Sequence, residues 1–158
     1  MSNKLQINIV DLIFALDDHD VEHSHFLDLQ TGEIIFMPDA SMYSDGDLDE
    51  LREQMDEDPD RFCRIQPIHS SEGFQLMEDF IDTLKDDKIQ NDLARAINRS
   101  KPFRNFKDTL ADYPDVRQQW FTYHHSRMEQ FAREWLEDEK IEVELVKPQF
   151  FFDNQLPP

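Results

Sequence analysis

The sequence predicts an α+β fold: a mainly helical single domain with a small antiparallel sheet built around an N-terminal hairpin. Three observations lead there. Alternating apolar residues, the period of a strand, are confined to the chain before Pro67 and to IEVELV near its end. From Ser70 onward apolar residues recur every three or four positions, the period of a helix. Only 3 of 158 residues are Gly, too few for the tight turns of an all-β protein or for a Gly-rich phosphate loop. A chain of this length suits one domain, placed at residues 1–146, with 147–158 as a C-terminal tail.

LQINIV has the β-branched look of a short strand, and DLIFALDD reads as a short helix opening at Asp11. HSHFLDLQTGEIIFM reads as a hairpin, with Gly32 at the turn where a positive φ is needed. Its pairing puts His23, His25, Leu27 and Leu29 on one face, and Phe26 and Asp28 on the other. The acidic stretch that follows reads as a loop around one short helix, capped by Ser44 and carrying Leu48, Leu51 and Met55 on one side. RFCRIQPI alternates like a strand, and Pro67 places it at a sheet edge or a strand end.

Four helices follow. SSEGFQLMEDFIDTL has Ser70 or Ser71 as its cap and an apolar stripe of Phe74, Met77, Ile81 and Leu84. DDKIQNDLARAIN carries Ile89, Leu93 and Ile97. SKPFRNFKDTLADY is capped by Ser100, tolerates Pro102 in its first turn, and aligns Phe103, Phe106 and Leu110. The longest begins near Pro114, with Val116, Trp120, His124, Met128, Phe131 and Trp135 along one face. IEVELV closes the fold as a strand.

Charge bears on function. The formal net charge is −19, and residues 1–60 carry −15 of it: 17 Asp and Glu against Lys4 and Arg52. Such a field repels phosphate backbones and anionic lipid and favours cations or basic partners. The N-terminus lacks a signal-peptide pattern, no apolar run approaches a membrane span, and the single Cys63 forms no internal disulfide. A cytoplasmic setting is expected.

FLDLQTGEI, GFQLMEDFI, FRNFKDTL and the Trp120…EWL helix, in that order and spacing, resemble the bacterial family catalogued as Uncharacterised Protein Family 0158. The resemblance runs from about Phe26 to Ile141. It implies a small soluble bacterial domain and carries no assigned activity, cofactor or catalytic residue.

DDHDVEHSH, Asp17 to His25, packs three histidines and four carboxylates into nine residues. His23 and His25 project from one strand face, with His19 and Asp18 nearby as further ligands. Imidazole with carboxylate suits a first-row divalent cation such as Zn²⁺. No second ligand motif elsewhere completes a tetrahedral site, so the plainer reading is a polar stretch leading into the strand. DGDLDE opens like a calcium loop, but Glu50 stands where that loop needs Gly; acids at a helix start explain it better. Arg95, Arg99, Lys101, Arg104 and Lys107 form a basic island resembling a helix-turn-helix surface for nucleic acid, a reading that the net charge opposes. Of the adjacent His124 and His125, only His124 follows the apolar stripe. Cys63 reads as a small buried hydrophobe, with a Cys63–His69 nucleophile pair as the sharper alternative. The expectation is a non-enzymatic acidic protein-interaction or regulatory module for a basic protein, without a resident cofactor. The alternatives are a divalent-metal-dependent enzyme or sensor using the 17–25 cluster, and a nucleic-acid-associated factor using the 95–107 segment.

Overall fold

The computed structural model describes residues 5–38 and 46–146, the side chain of Asp47 excepted. The proposed Ser44 cap and the 147–158 tail lie outside the described residues. The α+β class holds: among the described residues six helices accompany a three-stranded antiparallel sheet and a separate parallel strand pair. The described residues divide into two compact units, one drawn from those up to Pro67 and from Glu129 onward, the other from Ile68–Met128.

The first unit opens with β1 (Leu5–Asn8) and turns directly into α1 (Ile9–Asp17). The helix starts two residues before the Asp11 expected from sequence, because the Asn8 side chain accepts from the backbone N–H of Val10 at 2.9 Å and of Asp11 at 3.3 Å. β2 (His23–Asp28) and β3 (Ile34–Pro38) form the expected hairpin. At its turn Gly32 has φ 82°, and a Cβ there would lie 2.4 Å from the Gln6 carbonyl oxygen. Glycine is therefore required twice over, by conformation and by space.

α2 (Gly46–Glu57) is a continuous helix, so the acids after Gly46 sit on a helix and do not wrap an ion. Its Leu48, Leu51 and Met55 pack on Ile35, Met37, Phe62 and Phe26, one face of the sheet. A single 3-10 turn (Pro59–Arg61) leads into β4 (Phe62–Ile65), which pairs with β2, giving the order β3-β2-β4. β4 is thus an edge strand, as Pro67 suggests. The alternation of β2 leaves His23, His25 and Leu27 on the face opposite α2.

In the second unit, α3 (Ser70–Asp82), α4 (Asp87–Ile97) and α5 (Pro102–Leu110) surround a core of Met77, Phe80, Ile81, Leu93, Ile97, Phe106 and Leu110. Val116 and Trp120 of α6 (Pro114–Asp138) join it. Three expectations are corrected here. α3 is capped by the ring of His69, which accepts from the Ser71 N–H at 3.3 Å, and not by either serine. Ser100 does not cap α5; Lys101 does so in the left-handed conformation at φ 60°. The amide of Asn105 spans that turn by donating to the carbonyls of Ala96 and Ser100. Finally Phe106 is buried but Phe103 is not, because it points away from the core and lies over Gly73.

α6 continues past Met128 into the first unit. Its buried stripe keeps a strict four-residue step through Met128, Ala132 and Leu136, so Phe131 and Trp135 are only half-buried. β5 (Val143–Val146) pairs in parallel with β1, apart from the antiparallel sheet. No helix among the described residues is long and apolar enough to cross a membrane.

Candidate metal centre

Asp18 is the C-cap residue of α1, with extended backbone angles that end the helix. Five residues later β2 begins, and its alternation turns His23 and His25 to the same side. The connection between them is held locally. Asp18 accepts from the N–H of Asp20 at 3.1 Å, and Asp20 from that of Glu22 at 2.8 Å. Two consecutive Asx turns therefore fold the acidic stretch back on itself.

The result is a convergence of three side chains. Nε2 of His25 lies 2.9 Å from Oδ2 of Asp18, and Nε2 of His23 contacts the same oxygen. One donor atom from each of Asp18, His23 and His25 lies within 4.8 Å of the other two. Their side chains are 15%, 14% and 7% exposed, so the group is largely withdrawn from water yet still reachable. Burial alone would raise the Asp18 carboxyl, but hydrogen bonds from His25, His23 and the Asp20 amide outweigh it. The carboxyl is held down at about 2, so it is an anion throughout the physiological range.

This arrangement has the features of a cation site. Two imidazoles and one carboxylate are ligands that first-row divalent ions accept. Nδ1 of His23 faces a carboxylate oxygen of Asp20 at 3.7 Å, where a ligating histidine commonly has an acidic partner. Phe14 and Phe36 border the group: the Phe14 ring meets His25 edge-on at 5.8 Å, and Phe36 lies 4.4 Å from His23 and 5.5 Å from His25.

Of the four residues proposed from sequence, the fold brings three together. His19 stands outside the group; its ring lies 3.2 Å from the Asp17 carbonyl on the exposed turn. Phe14 and Phe36 escaped the sequence reading, although the signals exist. Phe14 is one helical turn before Asp18, and Phe36 is the cross-strand partner of His25.

The basic island is dispersed along the α4–α5 turn. Arg95 pairs with Asp92 at 2.7 Å, while Arg99, Lys101, Arg104 and Lys107 are exposed and form no ion pair among the described residues. The open groove beside Arg95 and Arg99 is also lined by Asp92 and Asp112, so it is mixed in charge. Within it Tyr113 donates to Asp92 and receives Lys88, a closed network that explains the polarity of the groove without a ligand. Cys63 is half-buried beside Glu139, and burial together with that carboxylate pushes its thiol pKa up. His69 is engaged as the α3 cap.

The family model described as Uncharacterised protein family (UPF0158) matches residues 2–156. A UPF0158 protein of Pseudomonas aeruginosa is 33% identical over 138 residues, covering 87% of this chain and 86% of the relative. UPF0158 proteins of Chlamydia muridarum and Chlamydia trachomatis are each 26% identical over 155 residues, 98% of this chain but 44% of the relative. The chain thus spans less than half the length of the chlamydial relatives. No solved structure matches it.

Proposed function

The chain belongs to the UPF0158 family, and from that premise we propose that it is a non-enzymatic regulatory binding module whose ligand is a first-row divalent cation. The observation that carries the reading is the convergence of Asp18, His23 and His25 to within 4.8 Å of one another. A neutral imidazole carries one N–H, and here both Nε2 atoms are aimed at one carboxylate oxygen. A dication bound there would be held by the anionic oxygen and by the Nε2 lone pairs of both rings, with each ring's single N–H moved to Nδ1. The surroundings of Cys63 oppose the thiolate that a nucleophilic cysteine needs, so the reading assigns no role to that thiol.

Metal analysis of the purified protein tests the reading, with melting curves taken with and without chelator. Saturation at about a hundred times the dissociation constant adds about 2.7 kcal/mol, so chelation lowers Tm by about 5 °C or more. Asp18→Asn and His23→Ala abolish the shift. No bound metal, and no shift on adding Zn²⁺, Ni²⁺ or Co²⁺, excludes the site.

A second reading concerns α2, which half-buries Leu48, Leu51 and Met55 and leaves Asp49, Glu50, Glu53, Asp56 and Glu57 in water. That surface suits a basic protein partner. A pull-down from a bacterial lysate recovers such a partner at low salt and releases it at high salt; recovery of nothing specific removes the idea.

A further inference from the structure

We propose that the cation site is an interface site, in which a histidine from a basic partner segment supplies the ligand that Asp18, His23 and His25 leave open. The proposal rests on the reading that these three residues hold a divalent cation. Three observations carry it beyond that.

The first is the ligand count. Among the described residues three protein donors converge, one short of the tetrahedral set that Zn²⁺ and Co²⁺ adopt in closed sites, which leaves a fourth position for a donor from a partner.

The second is the rim. Phe14 and Phe36 touch the ligand imidazoles, yet they are 63% and 50% exposed. Two phenyl rings kept in water beside a nearly buried polar group form a small apolar frame around it. Isolated exposed apolar residues mean little, but a pair bordering one site marks a contact surface.

The third is the field. Asp17 at the end of α1 and Asp20 and Glu22 on the connection that follows lie exposed, within a stretch of net charge −15 over residues 1–60. Even with a bound dication, Asp17, Asp18, Asp20 and Glu22 leave the neighbourhood negative. A carboxylate or thiolate approaching as the fourth donor is repelled. A neutral imidazole is not, and flanking arginines are drawn in, with guanidinium groups that also stack on phenyl rings. A second copy of this chain, itself strongly acidic, fits badly.

Cobalt(II) is the probe, because its visible bands report tetrahedral coordination directly. The protein is loaded with one equivalent of Co²⁺ and titrated with a blocked peptide of sequence arginine–leucine–histidine–leucine–arginine. The control replaces its histidine with alanine, and free imidazole is titrated separately. The expected result is a shift of the cobalt bands with the histidine peptide, which binds about tenfold or more tightly than the alanine peptide; outer-shell contacts alone commonly matter that much. The preference disappears without cobalt, and the combined Phe14→Ala and Phe36→Ala variant retains cobalt but binds the histidine peptide several-fold more weakly.

Equal binding of the two peptides by the loaded protein overturns the proposal while leaving the cation site standing. So does a histidine peptide that acts no better than free imidazole, or a double phenylalanine variant that binds it unchanged. Failure of the wild-type protein to take up cobalt removes the underlying site and the interface together, and the cobalt spectrum separates that outcome from the others before any peptide is added.

Discussion

Asp28 at the end of β2 is gripped by both arms of Arg61, 33 residues further along the chain. Nε donates to Oδ1 at 2.9 Å and Nη2 to Oδ2 at 2.8 Å. The same carboxylate accepts from the Gln30 amide at 2.9 Å, so one side chain ties the hairpin turn to the start of β4. Only 5% of the Asp28 side chain is exposed, which makes the pair bidentate and well shielded.

Acid stability follows from this pair. The Arg61 hydrogen bonds outweigh the opposing cost of burial and lower the Asp28 carboxyl from 3.8 to about 2. A carboxyl depressed in the folded state takes up its proton more readily when unfolded. Its stabilisation is complete above about pH 4 and is lost as the pH falls toward 2. The contribution is about 2 kcal/mol by linkage. Asp28→Asn flattens the fall in urea midpoint between pH 4.5 and 2.5, and an unchanged slope contradicts the assignment. Arg61→Met is the harsher change at neutral pH, because it leaves a buried anion unpaired.

Gly32 gives a sharper local test. Any side chain there meets an unfavourable φ, costing about 1–3 kcal/mol, and a Cβ 2.4 Å from a main-chain oxygen that cannot rotate aside. Gly32→Ala therefore lowers stability by about 2 kcal/mol or more. At Gly46, at the start of α2, an added Cβ meets nothing within 4 Å. Gly46→Ala is neutral or mildly stabilising. Chemical denaturation of the two variants side by side checks the contrast.

The two phenylalanines of α5 separate in the same way. Phe106 is 1% exposed and packs against Phe80 and Trp120, whereas Phe103 is 42% exposed. Phe106→Ala costs about 3–5 kcal/mol and changes the emission of Trp120, whose ring lies 4.8 Å away. Phe103→Ala costs under about 1 kcal/mol. Similar losses from both would mean that the helix is rotated from the orientation described.

These residues show what the sequence makes legible. Periodicity exposes an element when its own neighbours determine its burial. The hairpin, the α2 stripe and the stripes of α3 and α4 were readable for that reason. Phe103 and Phe106 share a helical face in the sequence, but the width of that face exceeds the width of the core it meets. The start of α1 was misread because Asn8 belongs to a strand-like run and caps a helix in the same position. The pairing of β1 with β5 joins Leu5 to Val143, and no local pattern signals a partner so distant. At the candidate site, the two-residue spacing of His23 and His25 shows that they share a face, and proximity suggests Asp18. Whether His19 joins them depends on the Asx turns between Asp18 and Glu22, which composition does not reveal.

Cys63 supplies the last test, because its thiol reports on a contact made 76 residues away. Sγ lies 3.8 Å from a carboxylate oxygen of Glu139. Burial is the larger cause of its raised pKa, with the Glu139 charge and hydrogen bond adding to it. A thiol so placed is mostly protonated at pH 8, and only the thiolate attacks alkylating reagents. Labelling by iodoacetamide is therefore slow compared with the unfolded chain. Glu139→Gln removes the neighbouring charge while keeping the size of the side chain, so the thiolate fraction rises and labelling accelerates. The gain is greatest between pH 7 and 8 and shrinks at higher pH as the wild-type thiol also ionises. Equal rates for wild type and variant across that range would show that burial alone controls the thiol.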